Sequence, residues 1–291
     1  MSPVHLIAFI LLGSFWGLSP SLYKLMAEAG VPPLHVLVYT GIGVGVAMGS
    51  IGRWRGLTRG IWLYGLGCAC LMNVPFCLSL YLAGKVPATE YALIVSTAPL
   101  FNYLAALATG GEAATRRRLL AVAAGFVSSA VLILSREGTA EGEISWWTLV
   151  CFAVPTLYMG YNWFAARYWP KNADIMAVGA AESIMSGLAA LPFLLVFAPF
   201  TGDTVPPLWA YWSVAAATVM WIFERIAFFT LIRDKGSLYT IQAVYVATPA
   251  AVIFGFLIFG TGVDAWLLLS LAILMLALWL NNSGRSAKVE G

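Results

Sequence analysis

The chain has 291 residues, of which 61% are hydrophobic and only 10% charged, and it carries a net charge of +3. A soluble globular domain is roughly 45–50% apolar and about 25% charged, so no water-soluble core could absorb this excess. The composition excludes a soluble enzyme. The cations fall in gaps between apolar runs and form no single basic face, so no nucleic-acid partner is expected.

Spanning a hydrocarbon core of roughly 30 Å takes about 20 residues of helix, and the chain supplies that length repeatedly. The runs cover 4–27, 34–51, 61–83, 88–109, 116–135, 146–168, 175–198, 207–232, 238–259 and 265–282. They are too long and too uninterrupted for the alternating ten-residue signal of an outer-membrane barrel, so the expected fold is an all-α integral membrane protein of ten transmembrane helices. The first run has no basic segment before Leu6 and closes at Lys24, which reads as a span and not as a cleaved signal. Cys68, Cys70, Cys77 and Cys151 all lie within apolar runs, and no second ligand pair accompanies Cys68 and Cys70, so no metal site is expected.

Lysine and arginine alternate between gaps. Arg53, Arg55 and Arg59 follow the second span; Arg116, Arg117 and Arg118 the fourth; Arg167 and Lys171 the sixth; Arg233 and Lys235 the eighth; Arg285 and Lys288 the tenth. The opposite gaps hold only Lys85 and Arg136, and the longest of them also carries Glu137, Glu141 and Glu143. Positively charged loops stay in the cytoplasm, which puts both termini there and requires an even number of crossings.

The Gly/Glu-rich stretch 136–145 divides the chain into a first five-helix repeat, 1–135, and a second, 146–291, with a short cytoplasmic tail. A shift of 150 residues lays Lys85 on Lys235 and Pro99 on Pro249; a shift of 143 lays Gly17 on Gly160, Ser19 on Asn162 and Lys24 on Arg167. Because five is odd, the second set must cross in the opposite sense, as in the inverted repeats of secondary transporters.

The ten-span plan, the Trp16-Gly17-x-Ser19 turn of the first span, and the small-x-Pro patterns at Ala98 to Pro99 and Thr248 to Pro249 resemble the EamA-type branch of the drug/metabolite transporter superfamily, most closely its YddG-like amino-acid exporters. Members often carry Asn two residues after the first-span glycine. Here that position is Ser19, while its sixth-span counterpart is Asn162. The resemblance implies a ten-helix exporter of the bacterial inner membrane, a monomer or homodimer without cofactor. Its cavity would lie between the halves and take amino acids or similar small metabolites by alternating access. Drugs, nucleosides or organic cations are the alternative cargo on the same fold. An intramembrane enzyme is disfavoured because His5 and His35 sit at span ends and no nucleophile–base pair or zinc motif lies at membrane depth.

Candidate site residues follow from the cost of polar groups in lipid, roughly 2.5–3.5 kcal/mol for an ionised side chain at a helix centre. Lys24 and Glu90 fall near outer ends, Glu182 in the seventh span, and Glu224 and Arg225 in the eighth. Glu182 and Arg225 are expected to pair across two helices. Glu224, about 100° from Arg225 around the helix, is expected to face the cavity alone, binding a substrate ammonium or carrying a coupling proton. Mid-span aromatics, amides and hydroxyls complete the expected binding set of Trp16, Ser19, Asn73, Tyr158, Asn162, Trp163, Trp221, Glu224, Gln242 and Tyr245 in an otherwise uncharged, aromatic-lined pocket. Pro99 and Pro249 free helix carbonyls and are the expected hinge, with a mere packing kink as the alternative. Gly13 and Gly17 on the first span, and Gly41, Gly45 and Gly49 on the second, are expected to mark close helix contacts.

Overall fold

The computed structural model describes residues 3–108, 114–134, 146–197, 206, 208–260, 262 and 264–283. Within them the chain is helical wherever a span is expected. The helices are α1 (Pro3–Glu28), α2 (Pro33–Ile51), α3 (Arg59–Ala83), α4 (Ala88–Val95), α5 (Ala98–Ala108), α6 (Arg116–Leu134), α7 (Trp146–Val150), α8 (Ala153–Arg167), α9 (Ile175–Phe197), α10 (Trp212–Lys235), α11 (Ser237–Thr240), α12 (Val244–Phe259) and α13 (Ala265–Ser283). Short 3-10 turns at Leu208–Tyr211 and Ile241–Ala243 lead into α10 and α12. The stretch 136–145, with its four charged residues, lies outside the described residues, as do Arg285 and Lys288.

Three expected spans are divided, each for a local reason. Between α4 and α5 the Ser96 and Thr97 hydroxyls donate to the carbonyls of Ala92 and Ile94, at 2.7 and 2.6 Å. Pro99 then has no N–H to offer Val95, so the helix restarts instead of continuing. Between α7 and α8 the backbone tightens to a Val154-to-Cys151 bond, and Pro155 follows. The ninth span is divided by the 3-10 turn Ile241–Ala243 between α11 and α12, while Gly236, at φ 77° in the gap before that span, ends α10 and starts α11 in a conformation that a side chain disfavours. Pro99 therefore stands just past a break, whereas Pro249 lies inside an uninterrupted α12.

Among the described residues, seven helical stretches are long and apolar enough by themselves to cross a membrane. Of the other three, 88–108 is divided, α6 opens on three arginines, and α13 is a shorter apolar helix. Large apolar side chains stand exposed on the outward faces, among them Leu63, Val74, Phe193, Phe223, Leu257 and Leu276. In water so extensive an apolar surface would aggregate; in lipid it is simply solvated. The protein is an all-α, multi-pass membrane protein.

These helices are apolar nearly all round, so small residues decide which faces meet. A Cβ on Gly17 would lie 2.6 Å from the carbonyl oxygen of Ala247, and one on Gly41 would lie 2.8 Å from the backbone nitrogen of Gly187. Hence α1 lies directly on α12, and α2 on α9. The remaining extensive pairings are α6 with α13, α3 with α9 and α8, and α10 with α1 and α2. Polar side chains fix helix starts at the ends of the bundle, where Asp174 accepts from the backbone of Met176 (2.8 Å) and Asp264 from that of Leu267 (2.6 Å).

Candidate functional site

A cavity of about 160 Å³ lies at the centre of the bundle, walled by α1, α2, α3, α4 and α5 from one half and by α8, α9, α10, the 241–243 turn and α12 from the other. Helical spacing delivers its residues in sets. Trp16, Ser19, Pro20 and Tyr23 share one face of α1; Tyr158, Tyr161 and Asn162 one face of α8; Ser183 and Ser186 one face of α9; Trp221, Glu224, Arg225 and Phe228 one face of α10. Tyr23, Phe76 and Trp221 meet in edge-on and tilted contacts with centroids 5.2–6.1 Å apart, forming an aromatic wall.

The charged groups form a chain across the helices. Arg225 Nε is 3.4 Å from Glu182 Oε2, so the expected bridge from α9 to α10 is present. Arg225 Nη1 donates to the Tyr161 hydroxyl at 2.9 Å, which donates in turn to Glu182 Oε1 at 3.3 Å. Glu182 is completely enclosed, and its Oε2 makes no hydrogen bond among the described residues. Glu224 Oε1 accepts from the indole Nε1 of Trp16 at 2.9 Å. Two expectations are corrected here. Glu224 is not the pocket's one charged group, since Arg225 lines it as well. Nor does Glu224 point away from Arg225, because its Oε2 lies 3.8 Å from Arg225 Nε. Successive residues leave a helix about 100° apart, but two long side chains can curl back over that angle.

Of the residues singled out from the sequence, Trp16, Ser19, Tyr158, Asn162, Trp221 and Glu224 line the cavity. Ser19 also bonds back to the Phe15 carbonyl (2.8 Å). The Tyr158 hydroxyl lies 3.5 Å from that of Ser79, and Asn162 has no hydrogen-bond partner among the described residues. The other four stand outside the lining. Asn73 clamps α3 to α9, donating to the Ser186 carbonyl at 3.0 Å and accepting from the Ser186 hydroxyl. Trp163 is 58% exposed on the outer surface against Tyr168. Tyr245 donates to the Leu278 carbonyl and packs among α12 and α13 side chains. Gln242 sits in the 3-10 turn beside the lining residue Ile241. Neither Pro99 nor Pro249 reaches the cavity, although Ala98 and Ala251 do.

Sequence reasoning missed Tyr23, Phe76, Thr40, Ser183 and Ser186 as lining residues. Tyr23 was discoverable, because it stands one and two turns beyond Ser19 and Trp16 on the same face. Glu90 is also more enclosed than an interfacial carboxylate would be. It is 4% exposed and accepts from the Thr148 hydroxyl at 2.6 Å, linking α4 to α7. Among the described residues no group of three His, Cys, Asp or Glu could hold a metal ion, and the four cysteines are free.

The fold and its cavity define a multi-pass helical membrane protein built around an enclosed polar centre. Residues 4–134 match the model of the EamA-like transporter family. Seventeen solved chains are similar in fold. One of them, a crystal structure described only as that of a protein, is 17% identical with a TM-score of 0.58 over 97% of this chain and 97% of its own. Comparison with curated proteins found no match.

Proposed function

We propose that the protein is a secondary transporter that exports amino acids or similar small metabolites across the bacterial inner membrane by alternating access. The observation that carries this reading is the cavity itself, whose walls come from both halves of the chain and combine aromatic faces with a few polar groups. The family match over the first half favours carriage of a small molecule over chemistry on one.

The packing pattern supports two inverted five-helix repeats with both termini in the cytoplasm. Counting spans, the second packs on the seventh and the fifth on the tenth, as partners astride a two-fold axis would. The other pairings come as mates under the same exchange: α1 on α12 with α5 on α8, α3 on α9 with α10 on α2, and α1 on α10 with α3 on α8. An inverted repeat of this kind lets one half adopt the other's conformation and reopen the cavity on the opposite side.

The test is solute flux in liposomes containing the purified protein, with amino acids as first cargo and nucleosides and organic cations as alternatives. A carrier gives saturable uptake and counterflow. Flux that rises linearly with concentration supports a pore, and no flux with any class removes the reading.

A further inference from the structure

Two carboxylates and one guanidinium share the centre of this bundle, and they are not equivalent. Arg225 is committed to Glu182 twice, directly at 3.4 Å and through the Tyr161 hydroxyl. Glu224 stands farther off, at 3.8 Å. Its closest partner is the Trp16 indole N–H, a neutral donor that orients the carboxylate without cancelling its charge. Lys24, the other intramembrane cation, is occupied elsewhere, 3.8 Å from Glu28 and over the Phe259 ring. Two carboxylates therefore share one guanidinium, which leaves the ionised cluster one negative charge in excess, in surroundings where an unbalanced charge is strongly disfavoured. The Asn162 amide faces the same cavity, is 6% exposed, and has no hydrogen-bond partner among the described residues. An amide and a carboxylate with hydrogen-bonding capacity left over thus face the same cavity.

We propose that the cavity takes the ammonium group of its cargo at Glu224, while Asn162 bonds the polar atom beside that ammonium. This rests on the reading of the cavity as a transport site and specifies the charge class it accepts. Trp221 and Tyr23 present aromatic faces that also attract a cation. Primary amines and zwitterions fit. A simple carboxylate does not, because it meets Glu224 while the one guanidinium is engaged with Glu182. Trp16 is a positioning residue that holds Glu224 by Oε1, so that the guest ammonium meets Oε2, which is shared only loosely with Arg225 at 3.8 Å.

The test uses the full-length protein purified in detergent and compounds that share a skeleton and differ only in charge: phenethylamine, 3-phenylpropionate and phenylalanine, then isopentylamine, 4-methylpentanoate and leucine. Amine or zwitterion from at least one set should raise the unfolding temperature by several degrees while the matched acid does not. E224Q should weaken that binding by roughly tenfold or more, as for loss of a charge-assisted contact. N162A should weaken it less and keep the order of amine over acid.

A second readout needs no ligand. Empty E224Q should unfold at or above the wild-type temperature, because it removes the unbalanced charge, whereas E182Q should unfold below it. Acids binding as well as amines, unchanged binding in E224Q, no binding by either set, or E224Q as unstable as E182Q would each overturn the proposal. A compound that binds through Glu224 yet shows no counterflow in liposomes leaves the ammonium site standing and removes the transport reading instead.

Discussion

Ser128 and Ser270 hold each other symmetrically: the hydroxyl of each donates to the backbone carbonyl of the other, at 2.7 and 2.8 Å, with the two oxygens 3.0 Å apart. Both are enclosed, one on α6 and one on α13. They are 142 residues apart, within one residue of the shift that lays Gly17 on Gly160. A reciprocal bond between like residues is what a two-fold axis through that point produces, which supports the proposed inverted repeat.

If the pair is the fixed point between the halves, its two members are coupled. S128A and S270A should each destabilise the detergent-solubilised protein by about 0.6–1.7 kcal/mol, the range for hydrogen bonds between membrane helices. The double variant should cost less than the sum of the two singles. Equilibrium unfolding of the four proteins measures the coupling, and strict additivity would remove the pair from that role.

Gly17 and Gly160 separate the present conformation from its proposed exchange partner. A Cβ on Gly17 collides with α12, whereas one on Gly160 meets nothing within 4 Å. G17L should therefore lower the unfolding temperature, and G160A should be neutral or raise it slightly, since alanine favours helix by about 0.5–1 kcal/mol. On alternating access, α8 must close at Gly160 as α1 is closed at Gly17 now. G160L is then expected to fold normally and lose counterflow.

The helices were readable because lipid leaves a backbone little choice: a long apolar run must satisfy its own hydrogen bonds as a helix. The breaks were only partly readable. Pro99 and Pro155 stand just past two of them, but Pro20, Pro75 and Pro249 lie inside unbroken helices, so a proline alone does not say which span is divided. The candidate site shows the same division. Asn162 lines the cavity and Trp163, one residue on, is turned toward the outside, because it leaves α8 about 100° farther round, past the edge of the face that Tyr158, Tyr161 and Asn162 share. Where a whole helix is apolar, composition does not say which side is inward. Tyr245 and Asn73 met their partners in α13 and α9 instead.

That contrast is testable with two tryptophans. W163A removes a side chain from the outer surface and should leave both stability within about 0.5 kcal/mol and transport near wild type. W221F keeps most of the packing against Tyr23 and Phe76 but changes the cavity wall, and should alter substrate affinity with little loss of folded protein. Concentration-dependent counterflow in liposomes distinguishes the two.

Arg225 and Glu182 should behave as one unit. R225Q leaves Glu182 enclosed without its counter-charge, and removing one partner of a buried pair costs roughly 3–5 kcal/mol. The E182Q/R225Q double variant should recover much of that loss, read as yield of folded protein and unfolding temperature. A double variant worse than R225Q would mean that the pair is not the reason for the loss.

The orientation can be read by labelling single cysteines in a background without Cys68, Cys70, Cys77 and Cys151. A membrane-impermeant maleimide should reach K85C on intact cells and R55C only after the membrane is opened. The reverse result would invert the proposed topology.

The interruption between α4 and α5 has a mechanical meaning. A continuous, proline-free rod such as α10 must rupture backbone bonds to bend sharply, but a rod already parted at Ser96 and Thr97, with their hydroxyls satisfying the carbonyls before the gap, can pivot there by torsion alone. The compliant joint of the bundle thus sits in its first half, at the cavity that Val95, Ser96 and Ala98 line.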